Sequence, residues 1–352
     1  MNININNLLR ENIKKLTPYS SARDEFKGEA SVLLDANENA FGSPLPDRYN
    51  RYPDPLQLRL KHKISGIKGV PVDNIFIGNG SDEAIDILFR AFCQPAVDNI
   101  IIVPPTYGMY EVSANINDVS IKKVNLTTDF QLDLDNLAET IDERTKLIFI
   151  CSPNNPTGNS IRRTDIETIL NNFNGLVIID EAYINFAKQK SFTQELAEYN
   201  NLVVLQTLSK AWGLAGLRIG MAFASEEIIR VFNKIKPPYN INEASQKLAI
   251  DALENVAEVN AWIQETVLER ERLTASLLDI PFVQLVYPSD ANFILVKVTK
   301  PKEIYKFLVG LGIIIRDRSS VTLCEGCLRI TIGTPAENRQ LLQALLDYQK
   351  TP

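Results

Sequence analysis

One lysine stands in a short segment whose other residues can bind an anion. Residues 207–220 read TLSKAWGLAGLRIG and follow an apolar run. Small and apolar neighbours remove water from the Lys210 amine, which favours the neutral form that attacks a carbonyl group. Thr207, Ser209 and Arg218 offer hydroxyl and guanidinium donors that suit a phosphate. The segment predicts a nucleophilic amine beside a phosphate site; a surface lysine near a helix start is the plainer alternative.

An acidic residue ends a second apolar run, in residues 176–183, LVIIDEAY. A carboxylate in the position of Asp180 is costly unless it is paired, and a protonated heterocyclic nitrogen is a fitting partner. Such a pairing makes an aromatic cofactor ring an electron sink. Tyr183 could donate to an oxygen of the same ring. The alternative is a helix N-cap aspartate, which is common where a strand meets a helix.

Three further loops carry polar or aromatic residues directly after apolar runs. Residues 151–158 read CSPNNPTG, where Asn155 could contact a ring oxygen and an ordinary turn is the alternative. Residues 104–108 read PPTYG, where Tyr107 could stack on a flat cofactor or simply be a buried core tyrosine.

The third of these loops, residues 77–83, reads IGNGSDE. Its glycines open a predicted helix, so backbone N–H groups near Ser81 and Asp82 can hold a phosphate. A dinucleotide fingerprint would need a third glycine, which the segment lacks.

Regular alternation of strands and helices is needed to bring these loops to one edge. Continuous apolar runs predict strands that are buried on both faces. They are Ile75–Ile77, Ile100–Val103, Leu147–Ile150, Leu176–Ile179, Leu202–Leu205 and Ile219–Ala224. Helical periods separate many of them, as in 82–92 and 164–173. The pattern predicts an α/β fold with a mostly parallel central sheet covered by helices, and ligands bind at the carboxyl ends of such strands.

The pattern of predicted strands and helices changes after residue 238. One long helix or two joined helices are expected over 243–278, then strands at 293–298, 312–316 and 328–332 with helices from Pro301 and Pro335. We therefore predict three parts. They are an N-terminal arm (1–30) that packs on the small domain and a partner subunit, a large cofactor-binding domain (31–238), and a small α+β domain (239–352).

Composition excludes several classes of function. The 352 residues carry 37 Lys plus Arg against 43 Asp plus Glu, a formal charge of −6, which argues against nucleic-acid binding. No apolar stretch is long enough for a membrane span, and the first residues do not resemble a secretory signal, so we expect a cytoplasmic protein. The one histidine, His62, falls on what reads as an exposed basic helix face, residues 60–63, which disfavours histidine-based hydrolysis or metal catalysis.

Four cysteines are present, and only Cys324 and Cys327 are closely spaced. A structural zinc site would need two more ligands at matching spacing, so we expect no metal. Cys327 also opens an apolar run instead of a strand-to-helix turn. We therefore expect reduced, structural thiols.

Taken together, the motifs resemble the pyridoxal-phosphate (PLP) enzymes of fold type I, the aspartate-aminotransferase fold, over nearly the whole chain. Within the class-II aminotransferases the sequence is most similar to the histidinol-phosphate aminotransferase family. That similarity rests on residues 34–39 (LDANEN), 51–55 (RYPDP) and 327–333 (CLRITIG).

The resemblance implies a role for each matching position. Lys210 would hold the cofactor as a Schiff base and move the proton, with Asp180 on the ring nitrogen. Contacts to the cofactor ring are implied for Tyr107, Asn155 and Tyr183, and contacts to its phosphate for Ser81, Asp82, Thr207, Ser209 and Arg218. Tyr52 would reach the cofactor phosphate of a neighbouring subunit, which implies a homodimer with shared sites. The substrate end would comprise Tyr19, Asn37, Arg316 and Arg329.

The implied reaction is transamination of L-histidinol phosphate with 2-oxoglutarate, giving imidazole-acetol phosphate and glutamate, as in histidine biosynthesis. Threonine-phosphate decarboxylases and aromatic amino-acid aminotransferases share the motifs and remain alternatives. A non-catalytic PLP-binding regulator would need a DNA-binding segment, for which about 30 N-terminal residues leave too little room. A lysine enzyme without PLP is the last alternative.

Overall fold

The computed structural model describes residues 3–19, 32–45 and 49–350. The strands are β1 (Ile75–Asn79), β2 (Asn99–Ile102), β3 (Ser120–Lys123), β4 (Thr145–Cys151), β5 (Leu176–Asp180), β6 (Leu202–Thr207), β7 (Ile219–Ala224), β8 (Val283–Val286), β9 (Phe293–Val298), β10 (Arg316–Asp317) and β11 (Cys327–Thr331). The α-helices are α1 (Ile5–Leu8), α2 (Glu11–Lys15), α3 (Leu58–Lys68), α4 (Gly80–Phe92), α5 (Met109–Ile116), α6 (Leu134–Thr140), α7 (Arg163–Asn172), α8 (Glu226–Ile235), α9 (Glu243–Ala252), α10 (Val256–Leu278), α11 (Pro301–Gly310) and α12 (Pro335–Lys350).

Seven strands form the larger sheet, in the order β1-β7-β6-β5-β4-β2-β3. Strand β7 is antiparallel to both β1 and β6, and every other pairing is parallel. The carboxyl ends of β1, β4, β5 and β6 therefore meet at one edge, together with the amino end of β7. This edge receives the loops that the sequence singles out.

Side chains of the central strands enter two different cores, one on each face of this sheet. In β5, Val177 and Ile179 belong to one core, whereas Leu176 and Ile178 belong to the other. All four are fully buried. The apolar runs are continuous because side chains that point to either face of the sheet are buried in a core.

A second, antiparallel sheet has the order β10-β11-β9-β8 and carries its own core. Its apolar residues include Leu328 and Ile330 of β11, which pack with residues of α10, α11 and α12. The region 243–278, expected as one helix or two, forms α9 and α10. The first of these, α9, contacts α3 and places Ala249 in a core of the larger sheet.

The N-terminal arm differs from the expectation where it is described. Ile5, Leu9 and Ile13 join a core of the larger sheet, the Arg10 backbone N–H donates to the Ala91 carbonyl at 3.0 Å, and the Lys234 amine donates to the Ile13 carbonyl at 2.8 Å. The prediction that the arm packs on the small domain is wrong for these residues. Their apolar spacing fits a surface formed by α4 and α8, which sequence alone does not reveal. Residues 20–31 lie outside the described part.

Two smaller differences concern single elements. Strand β3 was not predicted, because its sequence Ser-Ile-Lys-Lys is polar, as suits the edge of a sheet. His62 is exposed as expected, but the neighbouring Lys61 is buried. Burial lowers the pKa of the Lys61 amine to about 8.

Three general expectations can be compared with the described residues. None of their helices is both long and apolar enough to cross a membrane, and they hold no cluster of three or more candidate metal ligands. The four cysteines are free and buried.

Candidate active site

A cleft of about 530 Å3 opens at the carboxyl edge of the larger sheet. It is lined by Gly80, Ser81, Asp82, Tyr107, Cys151, Asn155, Asp180, Ala182, Tyr183, Thr207, Ser209, Lys210 and Arg218. Ten of the fifteen residues predicted for the site lie in this lining. The alternation of strands and helices explains the convergence, since each contributing loop follows the end of a neighbouring strand.

Asp180 is the last residue of β5, and its carboxyl group lines the cleft. Its Oδ2 accepts a hydrogen bond from the Tyr110 hydroxyl at 2.7 Å, and its Oδ1 accepts one from the Ala182 backbone N–H at 3.1 Å. Burial raises the pKa of Asp180 to about 6, and the hydrogen bond from Tyr110 opposes that rise. The group is therefore a poorly solvated carboxylate facing the cleft, which favours a cationic or N–H partner.

Lys210 follows β6 and reaches the same cleft with its amine. The Nζ atom lies 5.6 Å from the ring centre of Tyr183. Lys210 as a residue is exposed, but the cleft walls partly desolvate its amine, and this partial desolvation lowers the pKa of Lys210. The positive charge of Arg329 adds to the lowering, while Asp180 opposes it. A larger share of neutral amine at physiological pH makes Lys210 a better nucleophile.

The opposite end of the cleft is built to hold an anion. Helix α4 begins at Gly80, and Gly80, Ser81 and Asp82 line the cleft, which places the positive end of the helix dipole beside it. Arg218 has a left-handed backbone (φ 57°), and its carbonyl accepts from the Gly80 N–H at 2.6 Å. Its Nη2 lies 3.7 Å from Asp82 Oδ2. The side chains of Thr207 and Ser209 complete this end.

Gly220 allows a close approach between β7 and the start of α4. Gly220 pairs with Gly78 across strands β7 and β1. A Cβ atom on Gly220 would lie 2.1 Å from both the carbonyl carbon of Gly80 and the nitrogen of Ser81. The absent side chain therefore lets the start of α4 lie against the strand that follows Arg218.

Polar and aromatic side chains form the walls. The Asn155 amide donates to the Tyr183 hydroxyl at 3.2 Å, and the Tyr107 hydroxyl donates to Asp82 Oδ1 at 3.3 Å. Burial is the largest cause that raises the pKa of both tyrosines. Both phenols therefore remain hydrogen-bond donors at neutral pH.

Arg329 joins this site from the smaller sheet. Its Nη1 donates to Asn155 Oδ1 at 2.5 Å, and its guanidinium lies 5.1 Å from the ring centre of Phe293. Burial lowers the pKa of Arg329. Arg316 is its register partner on β10.

Five predicted residues lie outside the cleft lining. Arg316 and Arg329 are on the smaller sheet, and the other three lie in separate grooves. Tyr52 and Asn37 line a separate groove, where the rings of Tyr52 and Tyr239 stack at 4.6 Å. Tyr19 is 72% exposed and lines another groove. Their roles in binding stay predictions.

Sequence reasoning missed Tyr110. It lies three residues after Tyr107, is fully buried, and stacks on Phe149 at 4.8 Å. Its only sequence signal is an aromatic residue at helical spacing on α5, which is typical of a core position. Cys151 and Ala182 also line the cleft but appear in the sequence as ordinary strand and loop residues.

Known proteins give a consistent comparison. The family described as aminotransferase class I and II matches residues 29–345. A histidinol-phosphate aminotransferase of Parabacteroides distasonis is 55% identical over 97% of this chain and 98% of its own length. One from Cytophaga hutchinsonii is 53% identical over 99% and 100%.

Solved structures agree with the fold. The histidinol-phosphate aminotransferase from Clostridium acetobutylicum has a TM-score of 0.79 at 26% identity, covering 86% of this chain and 92% of that one. The enzyme from Sinorhizobium meliloti, in complex with pyridoxal-5'-phosphate, has a TM-score of 0.78 at 24% identity, covering 90% of each chain. The predicted type I fold is confirmed. The chain belongs to the aminotransferase class I and II family.

Proposed function

We propose that the protein is a PLP-dependent aminotransferase that transfers the amino group of L-histidinol phosphate to 2-oxoglutarate. Supporting this are the names of relatives that are 50–55% identical over nearly the whole chain. The observation that carries the chemistry is one cleft in which Lys210 and the buried Asp180 lie together with an anion site. The substrate assignment rests on the relatives.

The residues present fit the cofactor. Asp180 is a buried carboxylate whose partners are the neutral Tyr110 hydroxyl and a backbone N–H, so a protonated ring nitrogen would complete its environment. The start of α4 and Arg218 would hold the cofactor phosphate. The Tyr107 ring would lie against the cofactor ring. When bound, PLP would supply an aldehyde for the amine and an electron sink for the carbanion.

Lys210 would act as the proton carrier of the reaction. Its Nζ would accept the Cα proton of the bound substrate as a general base and would return it as a general acid on the same side of the cleft. The lowered pKa of Lys210 favours this, because an amine that is largely protonated cannot act as a base. Asp180 would stay negatively charged during the reaction and would keep the ring nitrogen of the cofactor protonated.

Asn155 and Tyr183 would orient the ring. Their mutual hydrogen bond fixes both side chains at the cleft wall. The contact between Asn155 and Arg329 links this wall to the smaller sheet. Binding an anionic substrate at Arg329 is therefore coupled directly to the residues that would hold the cofactor.

We also propose that the active unit is a homodimer with shared sites. Tyr52 is 51% exposed and lies in a groove separate from the cleft of its own chain. A second subunit could accept the Tyr52 hydroxyl at its cofactor phosphate.

The test is a donor assay with the purified, PLP-loaded protein. L-histidinol phosphate, threonine phosphate, and phenylalanine or tyrosine are each supplied with 2-oxoglutarate, and glutamate and carbon dioxide are measured. We expect glutamate from histidinol phosphate at a kcat/KM at least about tenfold above that of any other donor, a specificity difference of about 1.4 kcal/mol. Carbon dioxide release from threonine phosphate, or a preference for aromatic donors, would overturn the substrate assignment.

A further inference from the structure

Three arginines share one face of the smaller sheet beside the cleft. Arg316 of β10 is the register partner of Arg329 of β11, so their side chains point to the same side of the sheet. The backbone N–H of Arg318 donates to the Cys327 carbonyl at 2.9 Å, which continues the same ladder. Arg318 directly follows the last residue of β10, and continued alternation of side chains places it on the same face as Arg316. The opposite face carries Leu328 and Ile330, which enter the core.

This arrangement is costly for the protein alone. Like charges directly opposite each other on a sheet repel. Burial is the largest cause that lowers the pKa of both Arg318 and Arg329, and the positive charges of Arg316 and Arg318 lower the pKa of Arg329 further. Throughout the part of the chain that the structure describes, none of the three forms an ion pair with a carboxylate within 4.0 Å. Asp317 lies between Arg316 and Arg318 in sequence and therefore points to the other face.

Two donors of this cluster are buried and unpaired. The Nε atoms of Arg318 and Arg329 have no hydrogen-bond partner among the described residues. Buried donors of this kind normally have an acceptor, and one without a protein partner indicates a ligand or water. The Nε–H and a terminal N–H of one guanidinium form the fork that binds two oxygens of a phosphate or carboxylate.

We propose that Arg318 is a third anion-binding arginine of the substrate site, and that it determines preference for a phosphate ester over a carboxylate. The inference rests on the proposed function and extends the pair Arg316 and Arg329. A phosphate monoester carries up to two negative charges and three terminal oxygens, so it can use more guanidinium donors than a carboxylate can. Glutamate needs fewer of these donors and depends less on Arg318.

The experiment compares Arg318→Gln and Arg318→Lys with the wild-type holoenzyme. Each half-reaction is followed separately by the cofactor absorbance, with histidinol phosphate or glutamate as the amine donor. Loss of a hydrogen bond between charged groups predicts a fall of about 10- to 100-fold in kcat/KM for histidinol phosphate in Arg318→Gln, mainly through KM. For glutamate the expected change is under about threefold, and Arg318→Lys should be intermediate for the phosphate donor. Arg230→Gln, at an exposed site on α8, is the matched control.

A second measurement separates this inference from the proposed substrate. Inorganic phosphate is tested as a competitive inhibitor of the glutamate half-reaction, which does not require histidinol phosphate. We expect its inhibition constant to rise about tenfold or more in Arg318→Gln and to stay unchanged in Arg230→Gln. If wild-type enzyme rejects histidinol phosphate, the substrate assignment fails while this inhibition still tests Arg318. Equal losses for both donors, or an inhibition constant that does not change in Arg318→Gln, would overturn the role of Arg318.

Discussion

Among single residues, Asp180 has a negative charge that the proposed function needs but that lowers the stability of the cofactor-free protein. Its pKa is raised from 3.8 to about 6 by burial. A raised pKa means that the folded protein binds this proton more tightly than the unfolded chain does. Protonated Asp180 therefore stabilises the fold fully below about pH 4. This stabilisation, roughly 3 kcal/mol, is lost as pH rises through about 6. The cofactor would offset this cost by pairing with the carboxylate.

The first prediction follows from that sign. Without cofactor, Asp180→Asn should resist urea better than wild type at pH 8, and the difference should vanish near pH 4. Urea unfolding midpoints of both cofactor-free proteins between pH 4 and 8 measure this. Asp251→Asn, at an exposed position on α9, is the control. Parallel pH profiles for wild type and Asp180→Asn would show that Asp180 carries no such cost.

Site residues with distinctive neighbours in the sequence were predictable, and those without such neighbours were not. Lys210, Asp180 and Asn155 each stand in a polar loop after an apolar run, and the structure brings them to one cleft. Tyr110 and Arg318 gave no such signal. Tyr110 looks like a core aromatic, and Arg318 depends on a strand register that only tertiary pairing determines.

At the scale of elements, the junction of β1, α4 and β7 forms the anion site. The missing side chain of Gly220 lets the backbone of Gly80 and Ser81 approach. A side chain at position 220 would clash with backbone atoms of Gly80 and Ser81, so no neighbouring side chain can move aside to make room for it. The junction must shift, and the N–H groups at the start of α4 shift with it.

We therefore predict that Gly220→Ala weakens PLP binding at least about tenfold and lowers stability by about 1 to 3 kcal/mol, as overpacking of a core does. Equilibrium dialysis of PLP and urea unfolding measure the two effects. Gly66→Ala, on α3 with no atom within 4 Å of the added Cβ, is the matched control. It should stabilise the protein by about 0.5 to 1 kcal/mol without affecting PLP binding. Unchanged PLP binding in Gly220→Ala would contradict this account of the junction.

Strands were predictable from the sequence where both of their faces are buried. Strands β4, β5 and β6 were each found within two residues at either end, because their apolar runs are continuous. Strand β3 has only a partly buried, polar sequence and was missed. Strand β8, with two exposed residues among four, was missed for the same reason.

At the scale of the whole molecule, the arrangement of the parts was harder to predict than their existence. The described arm packs on α4 and α8 through Ile5, Leu9 and Ile13. Its short apolar pattern is compatible with many surfaces, so the sequence does not select one. The predicted domain boundary near residue 238 stays a prediction, since α9 beyond it also contacts the larger unit through α3.

Shared sites in a homodimer predict complementation between two defective subunits. Lys210→Ala retains Tyr52, and Tyr52→Ala retains Lys210, so a mixed dimer would contain one site with both groups intact. Co-refolding equal amounts should give activity well above that of either variant alone, approaching about a quarter of wild type if subunits pair at random and Tyr52→Ala is inactive. Activity of the mixture no greater than the mean of the two variants would contradict a shared site.

The most direct measurement asks which amine holds the cofactor. The PLP-loaded protein is reduced with borohydride, digested, and mapped by mass spectrometry. We expect the added cofactor mass on Lys210, and we expect Lys210→Ala to retain neither the label nor turnover. A label on another lysine, or full transamination by Lys210→Ala, would contradict it.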